Sequence, residues 1–239
     1  MTLETTNGPG RRAARLRPVS IADALTEALR QSILDGDLPG GALVAEVDVA
    51  EHYGVSRPTA KAAITALVHS GLLVREANRS AVVPTLDALD VQDLFFVRIP
   101  LEVHVVGAVI ERALVPEDAL VAVTELAAVP ADAPHSRFVR ADLGFHRALV
   151  ASLGSPHLSR VFSDLEGEIH LSMVQSRYAL GQRRIVAEHG AVFEAIRDGD
   201  APSATKLMAD HLRGACAALA KVLGAPRQLA DGIEQPAQD

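Results

Sequence analysis

Apolar residues recur in this chain at helical spacing. Ile21, Leu25, Leu29 and Ile33 repeat every four residues, and beyond Pro84 one amphipathic stretch follows another with no convincing strand. A chain patterned this way has to build its core by packing helices. Runs of β type are confined to Leu72-Leu73-Val74 and Ala81-Val82-Val83, on either side of a turn from Glu76 to Ser80. These predict a single β-hairpin. The composition agrees. Aromatic residues make up 3% of the chain, Trp is absent and Ala is abundant, a mixture that suits helices better than sheets.

The 239 residues have room for one large domain or two modest ones, and with 49% apolar residues the chain can bury a core. The expected organisation has four parts. Residues 1–17 form a flexible arm containing Gly8, Pro9 and Gly10. Residues 18–84 form a compact unit, 87–223 a helical effector-binding and dimerisation unit, and 224–239 a disordered tail. Helices are expected at about 87–113, 117–129, 136–153, 156–178, 182–198 and 201–223, with Gly154, Gly181, Gly199 and Gly224 at their ends. Pro100 falls inside the first of these and predicts a bend near Ile99. No run of about 18 uncharged apolar residues exists. The nearest approach, residues 99–110, contains Glu102 and His104. A cytoplasmic location is expected. The lone Cys216 excludes a disulfide framework or a four-cysteine zinc site and reads as a packing residue.

Charge divides unevenly. Residues 1–84 hold nine basic and nine acidic residues, whereas the remainder hold 14 and 21, which accounts for the whole net charge of −7. Nucleic-acid binding would therefore need a local basic cluster, and only the N-terminal third, with Arg11, Arg12, Arg15 and Arg17 at its start, offers one. The arm taken alone also fits a solvated tail.

Within 18–84, Ser20 predicts an N-cap and Gly36 a helix end, and Gly-Asp-Leu-Pro-Gly-Gly (36–41) reads as a loop. Asp48 is expected to cap a short helix running to Tyr53. Gly54-Val55 is a tight turn, and Ser56 caps a second helix with Pro58 in its first turn. Helix, short helix, turn, second helix and hairpin are the parts of a winged helix-turn-helix, whose second helix enters the major groove by its N-terminal end. Ser56, Arg57, Thr59 and Lys61 cluster at that end, and Asn78 and Arg79 at the hairpin tip. Arg can grip guanine bidentately, while hydroxyls, helix N–H groups and Lys suit phosphate. A capped surface helix with solvated charges is the alternative.

The stretches Gly36-Asp-Leu-Pro-Gly-Gly, Leu43 with Glu46, Tyr53-Gly-Val-Ser-Arg-Pro-Thr-Ala-Lys-Ala-Ala-Ile64 and His69-Ser-Gly-Leu-Leu73 resemble the GntR family of bacterial transcription regulators. The resemblance implies that Arg57 reads bases. Lys61 stands where the family usually has Arg, which implies a phosphate contact there. Pro58-Thr59 reverses the usual Thr-Pro order, Ser80 replaces a usual wing Gly, and Val47 stands where one member has a DNA-contacting Arg.

In the helical part, Asp142 and His146 are four apart and share a helix face. His189 and His211 lie on two further helices. One carboxylate and three imidazoles converging in a bundle would bind a divalent transition metal such as Zn²⁺, Ni²⁺ or Mn²⁺. Surface or hydrogen-bonded histidines are the alternative. Val97-Arg-Ile-Pro-Leu-Glu102, Asp142-Leu-Gly-Phe-His146, Arg184-Ile-Val-Ala-Glu-His189, Ala195-Ile-Arg-Asp-Gly-Asp200 and Met208-Ala-Asp-His-Leu212 resemble the FCD domain, the all-helical effector domain of the FadR-like branch. Metal-binding members use one Asp and three His in these motifs, which implies Asp142, His146, His189 and His211 as ligands. The same resemblance implies a small carboxylate effector beside the metal, paired with Arg98. The alternative for Arg98 is an ion pair with Glu102 at i,i+4. Arg177 and Arg184 are weaker candidates, and His104, His157 and His170 have no assigned role.

The expected fold is thus mainly α, an N-terminal winged helix-turn-helix plus a C-terminal all-helical bundle. The expected function is a non-enzymatic, homodimeric regulator, a repressor by family habit. It would bind a double-stranded DNA operator under the control of a carboxylate effector. A metal-responsive regulator and a metal-dependent hydrolase are the alternatives.

Overall fold

A computed structural model of the chain describes residues 20–177 and 179–224. The predicted arm (1–17), with its four Arg, and the tail beyond 224 lie outside the described residues. The described fold is mainly α, with nine helices and two short strands.

Helix α1 (Ile21–Leu34) begins where the Ser20 hydroxyl accepts from the Asp23 amide, and it buries Leu25, Leu29 and Ile33. Strand β1 (Leu43–Val44) follows. Helix α2 (Glu46–Tyr53) starts two residues before the expected Asp48 cap. Its N-cap is Ala45, which makes no side-chain bond, and Asp48 lies in the first turn. The helix stops at Gly54, whose φ of 63° suits a residue without Cβ. Helix α3 (Arg57–His69) is capped by Ser56 and carries Pro58 in its first turn.

The predicted hairpin is reduced to one bridge. Val74 and Val82 exchange N–H···O bonds of 2.8 and 2.9 Å. Strand β2 (Ala81–Val82) finds its other partner in β1, antiparallel, with Leu43 opposite Val82. The sequence reading missed this pairing because two residues are too few to alternate. A core of Leu25, Leu29, Ile33, Ile64, Leu67, Leu72 and Val83 ties these elements together.

Helix α4 (Ala88–Glu111) opens with a capping box between Asp87 and Asp90. It runs through Pro100 without ending, so the carbonyl of exposed Phe96 faces a residue with no N–H. Helices α5 (Glu117–Ala127), α6 (His135–Ser152), α7 (Pro156–Gln175), α8 (Gln182–Arg197) and α9 (Ala201–Leu223) complete the bundle. Their core includes Phe95, Phe145, Phe162, Leu143 and Met208. Helices α4 and α9 pack along each other, and α6 and α8 close over them. This puts the inward faces of α4, α6, α8 and α9 around one point.

Candidate functional site: a helix tip for DNA and a buried histidine cluster

The end of α3 is built to face solvent. Ser56 holds the first turn by accepting from the Thr59 amide at 3.3 Å, with the two hydroxyls 2.8 Å apart. Arg57 and Lys61 are exposed, and among the described residues neither makes an ion pair. The opposite face of α3 buries Ala60, Ala63, Ile64 and Leu67, so the charged end cannot turn inward without exposing the core. At the turn before β2, Asn78 has φ 62°, a left-handed conformation that Asn tolerates. Asn78 and Arg79 are exposed there. The sequence reading missed Arg75, which steadies this turn. Its Nε donates to the Arg79 carbonyl at 3.1 Å and its Nη2 to Glu46 at 2.8 Å. The groove between α3 and the turn is lined by Lys61, Arg75, Asn78 and Arg79, together with Glu46 and Glu76.

The second cluster is buried. His146 (α6), His189 (α8) and His211 (α9) bring ring nitrogens to within 4.8 Å of one another. Asp142, one turn before His146, joins through His189, with Oδ1 3.4 Å from Nε2. Each imidazole is held from behind. His146 Nδ1 donates to Glu102 Oε2, His189 Nδ1 to the Ile185 carbonyl at 2.7 Å, and His211 Nδ1 to Glu188 Oε2 at 2.8 Å. These acceptors assign the proton to Nδ1 in all three rings and leave Nε2 a lone pair. The Nε2 atoms of His146 and His189 are only 3.1 Å apart. Two lone pairs at that distance repel unless a cation lies between them.

A proton is a poor choice of cation here. Burial pushes the His189 imidazole down to about 3, even though Asp142 favours its charged form. Burial also lowers His146, against the pull of Glu102. Asp142 Oδ1 is buried and, among the described residues, has no hydrogen-bond donor. An electron-rich pocket of three imidazoles and one unsatisfied carboxylate oxygen therefore fits a divalent metal ion.

Arg98 forms the next layer and is itself buried. Its Nε donates to Glu102 Oε1 at 2.5 Å, so the intrahelical ion pair expected as the alternative is formed. Among the described residues, Nη2 is nevertheless left without an acceptor. Glu102, missed as a site residue by sequence reasoning, thus joins Arg98 to His146. Burial raises its carboxyl, but Arg98 and His146 outweigh that and hold it at about 2. Glu188 was missed as well. It accepts from His211 and from Arg184, whose Nε is 2.6 Å away, and the bond from His211 draws its carboxyl below the ordinary range. Arg177 is exposed at the end of α7, apart from these side chains.

Comparison with known protein families matches residues 93–214 to the FCD domain and residues 21–83 to the description "Bacterial regulatory proteins, gntR family". The chain belongs to the GntR family. It is a GntR-type DNA-binding transcriptional regulator with an FCD domain, and the family is one of regulators rather than enzymes. The hydrolase alternative falls with that finding.

Among relatives, an uncharacterised HTH-type regulator, YdhC of Bacillus subtilis, is 27% identical over 202 residues, which cover 82% of this chain and 89% of that protein. The transcriptional repressor NanR of Klebsiella aerogenes is 25% identical over 229 residues, covering 85% and 88%. Among solved structures, a GntR regulator from Rhodococcus sp. RHA1 superposes with a TM-score of 0.73 at 23% identity. It covers 86% of this chain and 99% of that one. McbR/YncC of E. coli gives 0.72 at 18%, covering 85% and 99%. Both share the fold of this chain. No described helix is long and apolar enough to cross a membrane.

Proposed function

We propose that this GntR regulator is a repressor whose grip on its operator is set by a small carboxylate effector bound beside a divalent metal in the FCD domain. The observation that carries the metal is the convergence of three Nε2 lone pairs and the unsatisfied Asp142 oxygen. His146, His189, His211 and Asp142 would hold it. A donor set without thiolate suits Zn²⁺, Ni²⁺ or Mn²⁺. When bound, the ion supplies positive charge and open coordination positions for carboxylate oxygens. The unpartnered Nη2 of Arg98 supports the effector assignment, because a guanidinium N–H with no acceptor suits a carboxylate oxygen.

On the DNA side, Arg57 would read bases. Ser56, Thr59 and Lys61 would bind phosphate, with Asn78 and Arg79 at a groove edge or the backbone. Two copies would bind a palindromic site. Leu89, Phe96 and Val97 lie exposed along one side of α4, an apolar patch that a second copy would cover. The repressor sign rests on the relative NanR.

The test is operator binding to the DNA preceding the protein's own gene, measured on chelator-treated and Zn²⁺-restored protein with and without a panel of small organic acids. A carboxylate should change the affinity of the restored protein only. Arg57→Ala should weaken specific binding by about 1–3 kcal/mol and leave the fold intact. No discrimination of this DNA from random DNA at physiological salt would sink the proposal, and full metal content in His211→Ala would remove His211 from the metal site. Should metal alone shift the affinity, the ion itself is the signal.

A further inference from the structure

The two hydrophobic cores are joined by α6 and α7. Leu171 of α7 is buried in the N-terminal core. Gln175 grips the connection between the cores from both sides, donating to the Pro84 carbonyl at 2.6 Å and accepting from the Leu86 amide at 3.0 Å. Arg140 of α6 reaches across to α1, donating from Nη1 to Gln31 at 2.9 Å and Asp35 at 3.1 Å. Arg140 is two residues before Asp142 and six before His146 on the same helix. Helix α1 in turn packs on α3, which carries Arg57.

We infer that α6 is the transmission element between the histidine pocket and the DNA-reading helix, and that Arg140 is the joint through which it acts. The inference rests on the proposed filling of that pocket. An ion held at about 2.0–2.1 Å from each ligand atom resets their spacing, and the Nε2 atoms of His146 and His189, 3.1 Å apart without it, have to part, so α6 shifts against α8 and α9. A helix moves as a rigid rod, and Arg140 carries the shift to Gln31 and Asp35 at the C-terminal end of α1.

The joint is built to yield. The Arg140–Asp35 pair is half-exposed, so it holds weakly. His170 of α7, close enough to feel the charges of Arg140 and Asp35, is buried, and among the described residues its Nε2 has no hydrogen-bond partner. That nitrogen gains hydrogen bonds if the joint opens to water. A joint with two solvent-exposed bonds to lose and one unmet bond to gain can exist in two arrangements, which signal transmission requires.

The test uses hydrogen exchange of the full chain, chelator-treated and then loaded with Zn²⁺ alone, with metal content measured in parallel. In the parent, loading should change exchange of α1 amides by at least about threefold. Arg140→Gln should bind the same amount of Zn²⁺ but lose that change. Arg137→Gln, which removes the same charge from the same helix, should keep it. If Arg140→Gln responds like the parent, or if Zn²⁺ binds the parent without altering α1, the inference is overturned and the metal assignment stands. If the parent takes up no Zn²⁺, the metal assignment fails and the inference goes with it.

Discussion

At the scale of single residues, Glu102 decides how the pocket is poised. It receives the Nδ1 proton of His146 with one oxygen and the Arg98 guanidinium with the other. Glu102→Gln keeps the shape but lets the amide present an N–H to His146, which would favour the tautomer with its proton on Nε2. Zn²⁺ affinity should then fall 10- to 100-fold, the usual cost of losing a group that orients a metal ligand. Competition with a chromogenic chelator measures it, and an unchanged affinity removes Glu102 from the site. The sequence held a clue to this residue. Phe95, Arg98, Glu102 and Val106 share one face of α4, so the two charged groups had to be buried among apolar neighbours. The partner of Glu102 was not legible, because His146 is 44 residues away and only the packing of α6 on α4 brings it near. The convergence of Asp142, His146, His189 and His211 was legible for the opposite reason, since they stand within three local motifs.

At the scale of elements, helix ends were read closely because Gly and Pro mark them. Gly54, Gly154 and Gly199 all take positive φ at a helix end. Strand β1 was not legible, as its pairing with β2 is set by the fold of the loop before it, where the Gly41 amide donates to the Val83 carbonyl at 2.8 Å. Pro100 is the element that still violates its own local rule. An interior Pro costs a helix about 3 kcal/mol, and Pro100 is solvent-exposed rather than packed. Pro100→Ala should therefore raise the thermal unfolding midpoint by restoring the bond to the Phe96 carbonyl. A lower midpoint would mean that Pro100 shapes α4 so that Arg98 and Glu102 line up with His146.

At the scale of the whole molecule, the two halves meet through a contact with no slack. A Cβ on Gly167 of α7 would lie 2.9 Å from the Ser70 carbonyl oxygen and 3.3 Å from Leu72. The obstacle is backbone, which cannot swing aside as a long side chain could. Gly167→Ala should push α7 off the N-terminal core and lower stability by about 1–3 kcal/mol. Calorimetry would show it, and an unaltered melting profile would mean that the halves touch more loosely than the structure has them. Across the facing surface, Gly71 has φ 73° and its missing Cβ leaves room for the Glu168 carboxylate. Two glycines, one on each side, therefore set how near the bundle and the DNA reader can come. Exchanging DNA readers between relatives is for that reason not a matter of cutting at the connection. A transplanted reader would fit only a host whose seventh helix leaves the same hollow, so the graftable module includes part of the receptor.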